Sequence, residues 1–307
     1  MSTVLIAGGT GFLGRHLAAD LASRGHQVTI LTRRVRPDLE FRQVQWNGRT
    51  QGPWAEELNR TDAVVNLAGR LVDVRPTPSN IASLAASRVD ATRALVTAAQ
   101  AAGGNIPRWL QASTTAIYSD AGEQRLTESA PIPQGLPQMT GVAQPWEEAA
   151  AQAPADHLTV LRTSIVMAVG CPAYDRLAML ARWGLGGPVG TGRQWFSWIH
   201  LQDWLAIARA TLGLSDDIDL PPGVVIAASP NPVRNSDLMA AFRAHTGRRF
   251  GLATPAALLR IGAVALRTDP ALALTGRHAT SAVLAEAGYT FRYPELTGAL
   301  AALGPAR

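Results

Sequence analysis

The sequence predicts an α/β fold in which a doubly wound parallel sheet carries a smaller, mainly helical C-terminal region. In the first half of the chain, short apolar segments alternate with longer segments of helical composition. This alternation is typical of parallel strands joined by helices that cover both faces of one sheet. From about residue 231 onwards the alternation stops and the sequence is mainly helical in character.

The individual elements follow from apolar runs and from their glycine, proline and polar boundaries. The predicted strands are residues 3–7, 28–32, 41–46, 63–67, 109–113, 158–165 and 224–228. Helices are predicted at residues 12–24, 80–102 and 139–152. Gly103 and Gly104 would end the second helix, because glycine readily adopts the left-handed conformation found there. The proline-rich residues 120–138 are predicted to form a loop beside the site.

The most informative segment is a glycine-rich turn between the first predicted strand and the first predicted helix. It reads Gly8-Gly9-Thr10-Gly11-Phe12-Leu13-Gly14. With this spacing, one glycine permits a tight turn, one lets the backbone approach a pyrophosphate, and one lets the helix pack closely. The free N–H groups at the helix start would bind the phosphates. The segment predicts a dinucleotide site of the Rossmann type, with a ligand-free glycine turn as the alternative.

The end of the second predicted strand indicates which dinucleotide binds. It reads Leu31-Thr32-Arg33-Arg34, and no acidic residue follows before Asp38. An acid there would accept a hydrogen bond from the ribose 2′-hydroxyl of NAD, whereas arginine accommodates the 2′-phosphate of NADP. Guanidinium groups match phosphate oxygens well. We therefore predict NADP(H), with a solvated turn as the alternative interpretation of the two arginines.

The composition argues against several classes of protein. All 28 residues counted as lysine or arginine are arginine, yet they are scattered and form no recognised nucleic-acid-binding module. No apolar run reaches the roughly 18 residues of a membrane span, and no signal peptide is evident. One cysteine supports neither a disulfide framework nor, alone, a metal site. We expect a cytoplasmic protein with no nucleic-acid, membrane or metal partner.

Several separated motifs resemble the extended short-chain dehydrogenases/reductases. They are the glycine turn, Asn66-Leu67-Ala68-Gly69, and the segment from Ala112 to Tyr118. The chain is similar in particular to an atypical branch of NAD-dependent epimerase/dehydratase-like proteins known as epimerase family proteins. The motifs that suggest this branch lie at residues 190–194, 198–203, 229–235 and 286–294. The resemblance covers nearly the whole chain and implies a Rossmann domain with a small C-terminal substrate domain.

The resemblance also implies a catalytic set, and the chain matches only part of it. In most of that superfamily a Ser or Thr positions the substrate oxygen, a Tyr transfers a proton, and a Lys four residues later lowers the pKa of that Tyr. Thr114 matches the first position, but residues 139–143 contain neither Tyr nor Lys. Tyr118 is then the candidate proton donor, with a ring packed in the pocket or loop as the alternative. Because a neutral phenol can donate a proton but is a poor base, carbonyl reduction is favoured over alcohol oxidation.

The remaining predicted site residues are divided between cofactor and substrate. The predicted cofactor contacts are Gly8, Gly11, Phe12, Leu13, Gly14, Thr32, Arg33, Arg34, Leu67, Ala68, Gly69, Thr115 and Arg162. The predicted substrate contacts are Arg193, Gln194 and His200, with a surface loop and a half-buried histidine as the alternatives. Asn66 is expected to anchor its turn, and Asp203 to pair with His200 or cap the next helix.

These observations lead to one division of the chain and two functional hypotheses. The NADP-binding domain is predicted at residues 1–168 and 197–229, and the substrate domain at residues 169–196 and 230–307. The first hypothesis is an NADP(H)-dependent oxidoreductase or epimerase-like enzyme that reduces a small or sugar-like carbonyl compound. The alternative is a non-catalytic NADP(H)-binding redox sensor, suggested by the missing Tyr and Lys. The expected partner is a small-molecule substrate, and the expected state is a monomer or a homodimer.

Overall fold

The fold is organised around one parallel sheet. A computed structural model describes residues 1–215 and 217–304, apart from the side chains of residues 265 and 266. The strands, in chain order, are β1 (Thr3–Ala7), β2 (Gln27–Thr32), β3 (Arg42–Gln45), β4 (Ala63–Asn66), β5 (Ile106–Thr114), β6 (Arg125–Leu126), β7 (Ala155–Thr163), β8 (Ile165–Met167), β9 (Trp195–Phe196), β10 (Trp198–His200), β11 (Gly223–Ala227), β12 (Val233–Arg234) and β13 (His278–Ala279).

Helices join these strands and form most of the C-terminal region. They are α1 (Phe12–Ser23), α2 (Pro78–Ala102), α3 (Thr140–Ala150), α4 (Pro172–Arg182), α5 (Leu201–Thr211), α6 (Asn235–His245), α7 (Ala256–Leu266), α8 (Ala271–Leu274), α9 (Ala282–Glu286) and α10 (Leu296–Ala302). Short 3-10 turns span Pro53–Arg60 and Thr115–Tyr118. Among the residues described, no helix is both long enough and apolar enough to cross a membrane.

The strand order confirms the predicted fold class. Seven strands follow the order β11-β7-β5-β4-β1-β2-β3, and each neighbouring pair is parallel. The chain runs from β1 outward to β3, then returns to the other side of β1 through β4 and β5. In doubly wound sheets, ligands bind in the crevice at the strand ends where the order reverses in this way. That crevice lies here between β1 and β4.

Apolar side chains seal both faces of the sheet. On one face, Leu17 of α1 and Trp204 of α5 pack against the strands. On the other face, Leu95 of α2 packs with Trp54 and with Trp109 of β5. All but Trp54 of these side chains are completely buried. The two layers hold the sheet rigid beneath its carboxyl-end edge.

A separate apolar cluster forms the core of a smaller lobe. It contains Tyr174 of α4, Trp198 of β10, Phe242 of α6 and Leu300 of α10. Tyr174, Phe242 and Leu300 fall in the predicted substrate domain, whereas Trp198 falls in the segment 197–229 that is predicted to belong to the NADP-binding domain. The domain boundaries themselves stay a prediction.

The observed elements differ from the predicted ones mainly at residues 158–165. This predicted strand is two strands, because β8 leaves the large sheet and pairs with β10. Ser164 marks the change of direction, since its N–H and its hydroxyl both donate to the carbonyl oxygen of Ala227. The predicted loop at residues 120–138 also contains a short strand, β6, which pairs with β13 from the C-terminal region.

Candidate cofactor and substrate site

The glycine-rich turn joins β1 to α1 and leaves the start of the helix without a side-chain cap. Gly11 precedes α1, and its N–H donates to the carbonyl oxygen of Gly8 at 3.0 Å. Gly8 has a φ of +80°, and a Cβ there would lie 2.6 Å from the Leu67 carbonyl oxygen. A Cβ on Gly14 would lie 2.5 Å from the Gly8 carbonyl oxygen, so the helix packs directly on the turn. The turn therefore fits an anion such as a pyrophosphate on the helix N–H groups.

Two exposed arginines follow β2, the strand next to β1. The hydroxyl of the buried Thr32 shapes this turn by donating to the Arg34 carbonyl oxygen at 2.7 Å. The guanidinium groups of Arg33 and Arg34 are exposed and bind no other side chain among residues 1–215 and 217–304. Arg36, by contrast, forms an ion pair with Asp38. Arg33 and Arg34 are thus the cations here that a 2′-phosphate could engage.

A buried network of polar side chains fixes the turn after β4. The Asn66 amide donates to Thr92 Oγ1 at 2.8 Å and to Gln111 Oε1 at 3.0 Å. The Asn66 Oδ1 atom accepts from the N–H of Ala68 at 3.2 Å. The prediction that Asn66 anchors this turn is confirmed. The anchored residues 67–69 lie directly beside the glycine turn.

Thr114 ends β5, the strand beside β4, and it is only partly buried. Its Oγ1 atom accepts from the N–H of Ala116 at 3.1 Å and begins the following 3-10 turn. Within the described part of the chain, no group accepts a hydrogen bond from this hydroxyl. Its proton is therefore available to a ligand, whereas the neighbouring Thr115 is buried.

The proton-donor role predicted for Tyr118 does not fit its surroundings. The side chain is 1% exposed, and its hydroxyl donates to the Thr127 carbonyl oxygen at 2.9 Å. The same hydroxyl oxygen accepts from Arg162 Nη1 at 2.7 Å. Burial raises the pKa of the Tyr118 phenol, and the nearby Arg162 charge opposes this rise. The environment of Tyr118 fits the alternative interpretation, in which its ring packs against the loop and does not donate a proton.

Arg162 forms a buried ion pair, and its contact with the cofactor stays a prediction. Its Nε and Nη2 atoms donate to the two carboxylate oxygens of Glu147 on α3, at 2.8 and 2.7 Å. The side chains of Arg162 and Glu147 are 5% and 12% exposed. The hydroxyl of Ser113 also donates to Glu147. The Arg162 guanidinium therefore ties β7 to α3 and to Tyr118.

Of the three predicted substrate residues, only Arg193 is exposed to solvent. The Gln194 amide nitrogen donates to the carbonyl oxygens of Ala273 in α8 and of Val189, at 2.8 and 3.0 Å. His200 is 4% exposed, and its Nδ1 atom accepts from an N–H in the first turn of α5 at 3.2 Å. Internal hydrogen bonds hold the Gln194 amide nitrogen and the Nδ1 atom of His200, and the substrate contacts of these two residues stay predictions.

Asp203 binds the C-terminal segment rather than His200 or the start of α5. Its carboxylate accepts from the N–H of Arg292 at 2.7 Å and from the N–H of Tyr293 at 3.0 Å. The Tyr289 hydroxyl lies 3.3 Å from the same carboxylate. Both predicted roles of Asp203 are therefore wrong, and the residue fastens residues 286–294 to the sheet domain.

Comparison with known proteins places the chain in a family. The model of the NAD dependent epimerase/dehydratase family matches residues 4–227, which include the glycine turn and the ends of β2, β4 and β5. The chain belongs to this family. A second model, a domain of unknown function called DUF1731, matches residues 254–303. The resemblance that the motifs predict is thus confirmed.

Similar members of the family extend over the same length. Epimerase family protein SDR39U1 of Bos taurus is 31% identical over 302 residues, covering 97% of this chain and 98% of that protein. Epimerase family protein YfhF of Bacillus subtilis is 30% identical over 307 residues, covering 98% and 97%. The crystal structure of human epimerase family protein SDR39U1 with NADPH has a TM-score of 0.82 at 27% identity, covering 98% of both chains.

In this epimerase family member, the start of α3 holds neither the Tyr nor the Lys that the resemblance implies. Met139 precedes the helix and is 3% exposed. Its sulfur lies 3.4 Å from Nη1 of Arg277, from the C-terminal region. The hydroxyl of Thr140 donates to the Ile117 carbonyl oxygen inside the protein. Residues 139–143 therefore offer no proton-transfer group to a substrate.

Our sequence predictions missed two buried arginines near the strand ends, Arg88 and Arg277. Each is 9% exposed, and burial lowers the pKa of each guanidinium to about 10. Neither forms an ion pair within the residues described. Arg277 Nη1 donates to the Ser119 carbonyl oxygen at 3.0 Å. Arg88 carried a usable signal, because it falls between Leu84 and Leu95 on the apolar face of α2.

The buried His200 is expected to make stability depend on pH. Burial and the Arg292 charge lower its pKa to about 4, whereas an unfolded histidine titrates near about 6.5. Its stabilising contribution is complete above about pH 6.5 and is lost as pH falls towards 4, because the unfolded state takes up the proton first. At about pH 5.5 the free energy of unfolding should have fallen by on the order of 1 kcal/mol from this source.

Urea denaturation of the wild type and of His200→Asn, at about pH 7.5 and about pH 5.5, measures this effect. Asparagine keeps an oxygen that can cap α5 but cannot take up a proton. The variant should therefore lose on the order of 1 kcal/mol less than the wild type over this interval. An identical loss in both proteins would assign the pH dependence to other groups.

Proposed function

We propose that this chain is an NADP(H)-dependent oxidoreductase or epimerase-like enzyme that reduces a carbonyl group in a small or sugar-like substrate. The observation that carries the proposal is the order of three features along one sheet edge. They are the available hydroxyl of Thr114 after β5, the uncapped start of α1 after β1, and the exposed Arg33 and Arg34 after β2. This order matches an extended dinucleotide with a reacting group at one end.

The residues present fit a nicotinamide dinucleotide. The glycine turn, with the half-buried Phe12 and Leu13 in the first turn of α1, would hold the pyrophosphate. Arg33 or Arg34 would hold the 2′-phosphate, and residues 67–69 would lie against a ribose. The similar human protein crystallised with NADPH supports the choice of NADP(H). When bound, this cofactor would supply a hydride to the substrate carbonyl carbon.

The protein's own contribution to the reaction is positioning at the end of β5. Thr114 would donate a hydrogen bond to the carbonyl oxygen, on which negative charge grows as the hydride arrives. Since the Tyr118 hydroxyl is sealed inside, water is the proposed source of the proton that completes the alcohol. Reduction is the favoured direction, because alcohol oxidation needs a base that residues 139–143 do not provide. The exposed Arg193 is assigned to an anionic group of the substrate.

Cofactor binding followed by turnover tests this proposal. Fluorescence titration of the purified protein with NADPH and with NADH should show tighter binding of NADPH. Stopped-flow mixing of the NADPH complex with a panel of aldehydes, ketones and keto sugars should then show NADPH oxidation by at least one compound. If NADPH does not bind, both the assignment of the glycine turn to the cofactor and the proposed reaction are refuted.

Thr114→Ala is expected to lower kcat for the responsive carbonyl compound by about a hundredfold, because a hydrogen bond to the developing negative charge is lost. The affinity for NADPH should change little. Thr114→Ser is the matched control, since serine keeps both the hydroxyl and the cap of the following turn. Equal activity of the alanine and serine variants would show that the Thr114 hydroxyl has no role in the reaction.

A second candidate is the redox sensor, which binds NADP(H) without turnover. The specific observation that favours it is the absence of a proton-transfer side chain at residues 139–143, together with the internal hydrogen bond of Tyr118. Tight binding of NADPH with no oxidation across the whole carbonyl panel would favour the sensor. Turnover that depends on Thr114 would exclude it.

A further inference from the structure

We propose that Arg88 supplies the fixed positive charge at the nicotinamide end of the cofactor site, and thereby makes the site favour NADPH over NADP+. This inference rests on the proposed function, because it concerns the same cofactor. The resemblance implies a different cation, a lysine of α3 that lowers the pKa of a tyrosine. The chain contains no lysine at all.

Arg88 lies against the turn that follows β4. Its Nη2 atom donates to the Arg70 carbonyl oxygen at 2.9 Å, and its Nη1 atom donates to the Leu84 carbonyl oxygen at 3.2 Å. A Cβ on Gly69 would lie only 3.1 Å from the Arg88 Cζ atom. The guanidinium therefore packs on the backbone of Gly69, within the turn that we assign to the cofactor.

Among residues 1–215 and 217–304, Arg88 has no carboxylate partner for its charge. The ring centre of Trp146 on α3 lies 5.1 Å from its Cζ atom. No carboxylate lies within ion-pair distance of Arg88 in the described residues, unlike the buried Arg162, which holds Glu147. Even with its lowered pKa of about 10, Arg88 stays protonated at neutral pH. A buried cation without an anion is costly, and a ligand with electron-rich groups would offset that cost.

The strand order indicates which end of the dinucleotide Arg88 faces. The pyrophosphate site is at β1, and the proposed 2′-phosphate site is at β2 on one side of it. The nicotinamide half must then extend to the other side, across β4 towards Thr114 on β5. Arg88 touches the β4 turn, so it lies on the nicotinamide side of the pyrophosphate.

The consequence is a difference in affinity between the two redox states of the cofactor. The nicotinamide ring carries a positive charge in NADP+ and none in NADPH. A fixed cation on this side of the site repels only the charged ring. At an effective dielectric constant of about 20 and a separation of about 12 Å, this repulsion corresponds to about a tenfold preference for NADPH. A residue that merely braces the turn would affect both forms equally.

The test compares dissociation constants for NADPH and NADP+, measured by calorimetry for the wild type, Arg88→Lys and Arg88→Gln. The wild type should bind NADPH at least about tenfold more tightly than NADP+. Arg88→Lys should keep most of that ratio because it keeps the charge, and Arg88→Gln should lower the ratio about tenfold. Arg93→Gln, an exposed residue on the same helix, is the matched control and should leave the ratio unchanged.

Two outcomes would overturn the inference. One is equal weakening of both forms in Arg88→Gln, which would make the residue purely structural. The other is equal affinity of the wild type for NADP+ and NADPH. This measurement uses only the wild-type protein and does not depend on whether a variant folds. Binding of adenosine 2′,5′-bisphosphate, which lacks the nicotinamide, shows whether the Arg88 proposal alone has failed or the proposed function as well. A chain that binds neither this fragment nor NADPH refutes the proposed function, whereas binding of both with no redox preference refutes only the role of Arg88.

Discussion

Replacing Glu147 with leucine is expected to lower the free energy of unfolding by about 3–5 kcal/mol. The substitution would leave the guanidinium of Arg162, whose side chain is 5% exposed, without its counter-charge. It would also remove the acceptor of the Ser113 hydroxyl. An effect of this size is expected because the uncompensated charge stays buried. Urea denaturation at neutral pH measures the change.

The neighbouring Glu148 provides a matched control for this prediction. Glu148 is exposed on the same helix, so Glu148→Leu should change the free energy of unfolding by no more than about 0.5 kcal/mol. The double variant Glu147→Leu with Arg162→Leu should be much closer to the wild type than Glu147→Leu alone, since both charges are removed together. If Glu147→Leu were as stable as Glu148→Leu, the buried ion pair would contribute nothing to the fold.

The same ion pair also determines how the end of β5 is presented. Ser113 and Tyr118 lie on either side of Thr114 in the sequence. The Ser113 hydroxyl donates to Glu147, and the Tyr118 hydroxyl oxygen accepts from Arg162. With both flanking residues held from inside, Thr114 is left as the partly exposed hydroxyl of this segment. The buried pair therefore stabilises the fold and positions the group that we assign to the substrate oxygen.

Much of the fold could be predicted because local signals agree with the tertiary structure. The sequence signals for the glycine turn, β1 and α1 all lie within the first 23 residues, although β1 forms its hydrogen bonds with β2 and β4. The predicted helix 80–102 ends where expected, and Gly103 has a φ of +76°. Its start is two residues earlier, at Pro78, because Thr77 caps the helix by accepting from the Asn80 N–H. The Thr-Pro pair was a usable signal for this start.

The boundary between β7 and β8 could not be predicted in the same way. Apolar residues on both sides of Arg162-Thr163-Ser164 are close enough in the sequence to be interpreted as one strand. What divides it is a pair of hydrogen bonds from Ser164 to Ala227, 63 residues further along the chain. Periodicity carries no information about contacts at that distance.

The interior of the site was harder to predict than the fold. Tyr118 follows Thr114 at a spacing that favours a catalytic role, but its orientation depends on Thr127 and on Arg162, 44 residues away. Arg162 in turn depends on Glu147 from a different element. Sequence spacing can identify chemical groups near a strand end, but the partner of each group decides whether it faces the ligand or the core.

Replacing both Arg33 and Arg34 with alanine is expected to weaken NADPH binding by about tenfold to a hundredfold. A hydrogen bond between charged groups contributes about 1.5–3 kcal/mol, and the double variant would remove at least one such contact to the 2′-phosphate. NADH lacks that phosphate, so its affinity should stay the same. Fluorescence titration of both cofactors, with wild-type and variant proteins, gives the selectivity directly.

Arg36→Ala is the control for this prediction, because Arg36 lies in the same turn but is already paired with Asp38. It should leave the affinity for NADPH close to that of the wild type. The single variants Arg33→Ala and Arg34→Ala then show which guanidinium carries the contact and which is solvated. Raising the salt concentration should weaken NADPH binding more in the wild type than in the double variant, since exposed charges are screened. Equal loss of NADPH and NADH affinity would instead mean that the two arginines shape the β2 turn and do not select the phosphate.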